Sequence, residues 1–121
     1  MALSAMATEI LADAALCGPL AGATHEGRYG VHGEGPYMTL YLLVEHGVIE
    51  RASYESYGCP SAMACGAMTA RIVRGRTPEE ALRLSADDLT LILGGLPPGK
   101  GECAQMAVTA LRDALALEVN K

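Results

Sequence analysis

Cys59 and Cys103 sit where a cysteine can be reactive. Cys59 lies in Gly58-Cys59-Pro60, where a strand-like run gives way to helical spacing. Cys103 follows the breaker-rich stretch Gly94 to Gly101, at the start of the last amphipathic run. A loop entering a helix presents unpaired backbone N–H groups and the positive end of the helix dipole, and both favour a thiolate over a thiol. The Gly and Pro around both residues place the sulfurs at the surface. Soft thiolates select zinc, copper(I) or iron–sulfur clusters over magnesium or calcium. No pair makes a Cys-x-x-Cys signature, since Cys59 and Cys65 are six positions apart, so spacing alone selects no metal.

The remaining polar candidates are weaker. Cys65 falls one turn into the helix after Pro60, at a spacing from Ala62, Met68 and Ile72 that suits a core position. Its functional reading is a spare thiolate beside Cys59, an auxiliary ligand. Cys17 either packs or folds over the site. Glu102 gains interest as the neighbour of Cys103, although a Glu in a first helical turn, like Glu34 in a polar loop, is ordinarily surface charge. His25, His32 and His46 lie in loops or turns where histidines are usually solvated, and only His32 is kept as a ligand candidate. Arg71, Arg74 and Arg76 complement a helix C-terminus first and form a docking patch second. No nucleophile-elbow, Walker or dinucleotide motif occurs, so hydrolase and nucleotide functions have no support.

The elements that must position these thiols can be read from periodicity. Leu3, Met6, Ala7, Ile10, Leu11 and Ala14 recur at helical spacing and predict an N-terminal helix over 2–17, stopped by Gly18-Pro19. The Gly-rich stretch that follows predicts a loop over 18–36. Tyr37 to Glu45 and Val48 to Tyr57 predict a β-hairpin over 37–57 about His46-Gly47. In its second strand Val48, Ala52 and Tyr54 are expected on the packed face and Arg51, Ser53 and Glu55 on the wet one. A helical part over 61–118 completes the chain. It contains the capping boxes Thr77 to Glu80 and Ser85 to Asp88, then a final amphipathic helix from Cys103. The fold class is α+β: a small antiparallel sheet covered on one face by several helices, in one domain over 1–121.

Composition limits the partners. At 121 residues one hydrophobic core is expected. A net charge of −5 disfavours nucleic acid and anionic membrane surfaces. With no Trp or Phe, the core must be aliphatic and stacking platforms are few. The N-terminal run lacks the basic start of an export signal, and no apolar stretch approaches the roughly 18 to 20 residues of a membrane span. A cytoplasmic location is expected, where the four cysteines stay free or bind metal.

Tyr57-Gly58-Cys59-Pro60-Ser61-Ala62-Met63-Ala64-Cys65, Thr77 to Leu82 and Leu96-Pro97-Pro98-Gly99-Lys100-Gly101-Glu102-Cys103 resemble the U-type iron–sulfur cluster scaffolds, the IscU and NifU N-terminal family. The resemblance runs from about Tyr37 to Leu115. It implies a helix-covered antiparallel sheet with cluster ligands at one tip. Cys59 matches the family's second cysteine and Cys103 its third. Glu34-Gly35-Pro36 stands where the family has its first cysteine and a Gly-Asp, and Glu102 replaces a histidine. Cys65 and Glu102 are the auxiliary ligands this set would use. The resemblance further implies a transiently held iron–sulfur cluster, or zinc, and delivery to acceptor apoproteins. It also implies a cysteine desulfurase as sulfur donor and an Hsp70-type chaperone reading Leu96, Pro97, Pro98 and Lys100. The chain would act as a monomer or homodimer, without enzymatic activity. A zinc-binding or purely docking member is the alternative, and a thiol enzyme pairing Cys59 with Cys65 is a third reading.

Overall fold

The computed structural model of the chain describes residues 4–31 and 33–116, so His32 lies outside the described residues. Strands β2 (Tyr37–Glu45) and β3 (Val48–Tyr57) pair antiparallel from Tyr37 opposite Tyr57 to Glu45 opposite Val48. Between them His46 and Gly47 both take positive φ, 55° and 77°, the backbone that lets a two-residue turn match the twist of its strands. A register shift at Leu43/Val44 inserts one extra residue in β3, so Ile49 is buried while Val48 is only half-buried. The alternation expected along β3 fails again at Ser53, which is buried and not wetted. Its hydroxyl donates to Gly18 O (2.6 Å), and Gly18 N–H donates to Tyr54 O (2.8 Å), because the chain at Cys17 and Gly18 runs along the outer edge of β3.

The expected loop over 18–36 contains a third strand, β1 (His25–Tyr29), paired antiparallel with β2 from His25 opposite Leu42 to Tyr29 opposite Met38. Its one buried residue is Gly27. A Cβ at position 27 would stand 2.0 Å from Ala110 O and 2.3 Å from Ala114 N, so the last helix lies directly against strand backbone. A strand that buries backbone instead of side chains has no hydrophobic alternation to betray it. Its outer edge is also held: Arg28 N–H donates to Asp113 Oδ2 (2.9 Å).

Helix α1 covers Ala5–Leu11 only, and a 3-10 turn follows at Ala14–Leu16, where a continuous helix over 2–17 is expected; residues 2 and 3 lie outside the described residues. Asp13 ends the helix by turning its carboxylate to Ala15 N–H (3.2 Å) and to the Arg71 guanidinium (2.9 Å). Helix α2 (Pro60–Val73) leads into the short helices α3 (Pro78–Ala81) and α4 (Ala86–Ile92), each closed at its start by a reciprocal capping box, as the sequence predicts. Helix α5 (Gly101–Ala114) ends the described fold. Helices cover one face of the three-stranded sheet, with α2 over β3 and α5 over β1 and β2. Between the layers lies an aliphatic core that includes Met38, Leu40, Leu42, Val73, Ala107 and Leu111. The α+β class is the one expected, and no helix among the described residues is long and apolar enough to cross a membrane.

Candidate functional site

Strand β3 ends at Tyr57, the chain turns at Gly58, and α2 starts on Pro60, which suits a first helical position because it has no N–H to leave unpaired. Cys59 is therefore the residue that caps α2. The other approach runs through the turn Pro97 to Lys100, closed by Lys100 N–H donating to Pro97 O (3.1 Å). It places Cys103 in the first turn of α5, with its N–H donating to Lys100 O (3.0 Å). Because α2 and α5 pack against each other, their N-terminal ends bring the two thiols together: Cys59 Sγ lies 3.8 Å from Cys103 Sγ. Cys59 is half-buried, but Cys103, expected at the surface, retains only 4% exposure, because its turn of α5 packs against α2 and the sulfur joins the core.

The two sulfurs are electrostatically unequal. Burial alone would raise the pKa of Cys59, but it is outweighed by the N–H of Ala62, the Cys103 thiol, the N–H of Ser61 and the Lys100 charge. The result lies below the ordinary thiol value. Sγ closes no capping hydrogen bond of normal geometry, so the field of the helix mouth acts here as a diffuse preference for negative charge. Cys103 is pushed up to about 11, chiefly by burial and then by its contact with Cys59, against an opposing pull from Lys100. Of the pair, Cys59 is therefore the sulfur that ionises first, and the Cys103 thiol beside it can donate to the thiolate so formed.

Cys65 lies deeper in α2 with no exposed surface, and burial followed by the Cys103 and Cys59 charges pushes its thiol up to about 12. Glu102 is exposed in the first turn of α5, next to Cys103. Cys17 is exposed and its thiol donates to Tyr54 Oη (3.4 Å), which gives it a partner on β3 outside the Cys59–Cys103 pair. His25 belongs to β1, with Nδ1 2.8 Å from Thr24 Oγ1, and His46 is part of the hairpin turn. Glu34 is exposed, and Arg71 is engaged with Asp13. Of the proposed docking stretch, Leu96, Pro97 and Lys100 are half-buried and Pro98 is exposed. Among the described residues no group of three or more His, Cys, Asp or Glu side chains forms a ready metal site.

Two features of the tip escaped the sequence reading. Lys100, singled out there only for docking, is the cation whose charge favours both thiolates. Tyr57, 64% exposed two residues before Cys59, stacks on Tyr37 with ring centroids 6.1 Å apart and planes 10° from parallel. The signal was present, because the hairpin register places these two tyrosines directly opposite. A separate groove of about 360 Å³ lies among Ile72, Arg76, Leu84 and Leu91, and no cysteine lines it.

The donor set can be tested against a soft metal. A tetrahedral metal with sulfur bonds of about 2.3 Å spans about 3.8 Å between two thiolates. The observed separation is 3.8 Å, so the spacing of Cys59 and Cys103 matches two corners of such a site.

Residues 11–118 match the family described as NifU-like N terminal domain. An iron–sulfur cluster assembly scaffold protein, IscU 1 of Archaeoglobus fulgidus, is 38% identical over 81 residues, which cover 67% of this chain and 53% of that protein. The chain thus spans about half the length of the curated relatives it matches. Among solved structures, a candidate SUF-system scaffold from Fervidobacterium islandicum superposes with a TM-score of 0.72 at 19% identity, covering 93% of this chain and 95% of that one. The N-terminal part of a NifU-like protein from Brucella abortus gives 0.70 at 20% identity, covering 98% and 94%. These two likenesses establish the fold, and the sequence match across 11–118 establishes the kinship: the chain belongs to the NifU-like N-terminal domain family.

Proposed function

We propose that the chain is an iron–sulfur scaffold: it takes up iron and sulfide, or an assembled cluster, on Cys59 and Cys103 and yields this cargo to acceptor apoproteins, without itself catalysing a reaction. The observation that carries the reading is the 3.8 Å separation of the two sulfurs at the meeting helix ends, which matches adjacent corners of a tetrahedral thiolate site. Cys59, the more easily ionised of the two, supplies the first thiolate. Cys103 loses its proton as the metal binds, helped by Lys100. Glu102 is the auxiliary ligand we favour, because its carboxylate is exposed in the same first turn, while Cys65 packs behind the pair. Two thiolates and one carboxylate hold a soft cargo weakly, which suits release. The family likeness supports a cysteine desulfurase as sulfur source and an Hsp70-type chaperone at Leu96 to Lys100 as partners, in the cytoplasm.

The 3.8 Å spacing serves zinc equally well, and this is the second reading. Anaerobic reconstitution with iron and sulfide, followed by visible absorption and metal analysis of the desalted protein, separates the two. A labile chromophore that disappears in both Cys59→Ser and Cys103→Ser supports the scaffold. Colourless protein with one zinc per chain supports the second reading, and a chromophore that survives both substitutions refutes the ligand assignment.

A further inference from the structure

We propose that Cys59 and Cys103 are also a thiol–disulfide exchange pair: in the metal-free chain they react with a low-molecular-weight disulfide and close an intrachain bond between them. This goes beyond the scaffold reading and does not depend on it. The sulfurs are already in contact at 3.8 Å, and a disulfide bond of about 2 Å needs each to move by less than about 1 Å. Neither cysteine sits mid-helix. Cys59 caps α2 and Cys103 lies in the first turn of α5, and the flanking Gly58 and Gly99 are exposed, so side-chain rotation and a small loop adjustment can close the gap.

Burial sets the order of events. Cys59 is half-buried and can meet a small disulfide from solvent, whereas Cys103, 4% exposed, cannot. In the first exchange the Cys59 sulfur attacks the disulfide RS–SR, forming Cys59–S–S–R and releasing RSH, with the Cys59 proton passing to the leaving sulfur through solvent. In the second, the Cys103 sulfur attacks the Cys59 sulfur from behind, forming Cys59–S–S–Cys103 and releasing the second RSH. Two protein thiols lose two electrons and two protons, and one external disulfide gains them. Cys65 has no exposed surface, and the sulfur in contact with Cys59 is that of Cys103, so Cys65 stays out of the exchange. The pairing that competes in sequence, Cys59 with Cys65, is therefore replaced in space by Cys59 with Cys103.

The consequence is a second state of the same site. Sulfurs bonded to each other carry no charge to offer a metal, so oxidation closes the site to cargo and reduction by a dithiol reopens it.

The test uses the whole reduced chain, stripped of metal with a chelator and incubated anaerobically with oxidised glutathione, read by thiol titration, intact mass and peptide mapping. The wild type should lose two of its four thiols to a bond joining the Cys59 and Cys103 peptides, apart from any glutathione carried by exposed Cys17. Cys103→Ser should stop at a stable glutathione adduct on Cys59, and Cys65→Ser should oxidise like the wild type. A wild type that keeps glutathione on Cys59, that links Cys59 to Cys65, or that leaves Cys59 and Cys103 reduced overturns the proposal. No metal or cluster is loaded in this experiment, so its failure leaves the scaffold reading standing, and failure of cluster loading leaves the disulfide result intact.

Discussion

Gly27→Ala probes the contact on which the position of Cys103 depends. The added methyl would stand 2.0 Å from Ala110 O, 2.3 Å from Ala114 N and 2.6 Å from Ala114 Cβ, where ordinary contacts begin near about 3.5 Å. Two of these three atoms are backbone of a hydrogen-bonded helix and cannot swing aside as a flexible side chain would. Helix α5 must retreat from β1 by about 1 to 1.5 Å, or β1 must leave β2. Overpacking typically costs about 1 to 3 kcal/mol, and with backbone on both sides the top of that range applies, about 3 kcal/mol. For a chain of this size that corresponds to a fall in Tm of about 10 °C. Urea unfolding of the metal-free protein, followed by far-UV circular dichroism, measures the loss directly. Because α5 carries Cys103, a parallel zinc titration should show weaker binding than in the wild type. A destabilisation below about 1 kcal/mol with unchanged zinc affinity would refute the close approach of strand and helix.

Two further expectations concern ionisation. Hydrogen bonding to Arg71 lowers the pKa of Asp13 below its ordinary value, so its contribution is present above the unfolded-state pKa and is lost as pH falls through the folded one. Asp13→Asn should therefore flatten the acid side of the stability curve, and equal losses of Tm in both proteins between about pH 6 and about pH 3 would contradict the pairing. In alkylation of the folded, reduced chain, Cys17 and Cys59 should label well before Cys103 and Cys65, and the Cys59 rate should reach half-maximum at a lower pH than the Cys103 rate. Labelling Cys103 as fast as Cys59 would contradict their different burial.

The hairpin was legible because its signals are local: alternating apolar residues and a turn sequence that accepts two positive φ values. The capping boxes at Thr77 and Ser85 were legible for the same reason. Strand β1 was hidden because its buried residue is a glycine chosen for what it lacks, a Cβ that would strike α5. The early end of α1 was hidden because Asp13 answers to Arg71, fifty-eight residues away. Periodicity placed both Cys59 and Cys103 at helix starts but could not bring them together. Their contact depends on the packing of α2 against α5 across a separation of 44 residues, and before the structure only the family resemblance suggested that they meet.

The sheet is small, and among the described residues both of its borders are partly covered. Along β3 the chain at Cys17 and Gly18 occupies one stretch, and Gly75 and Arg76 occupy another through paired bonds with Ile49, while Asp113 takes an outward N–H of β1. A border covered in this way offers fewer free main-chain groups to a further strand, from a copy of itself or from an extended peptide. Association with another chain would then rest on side chains and helix ends more than on main-chain pairing at the covered stretches.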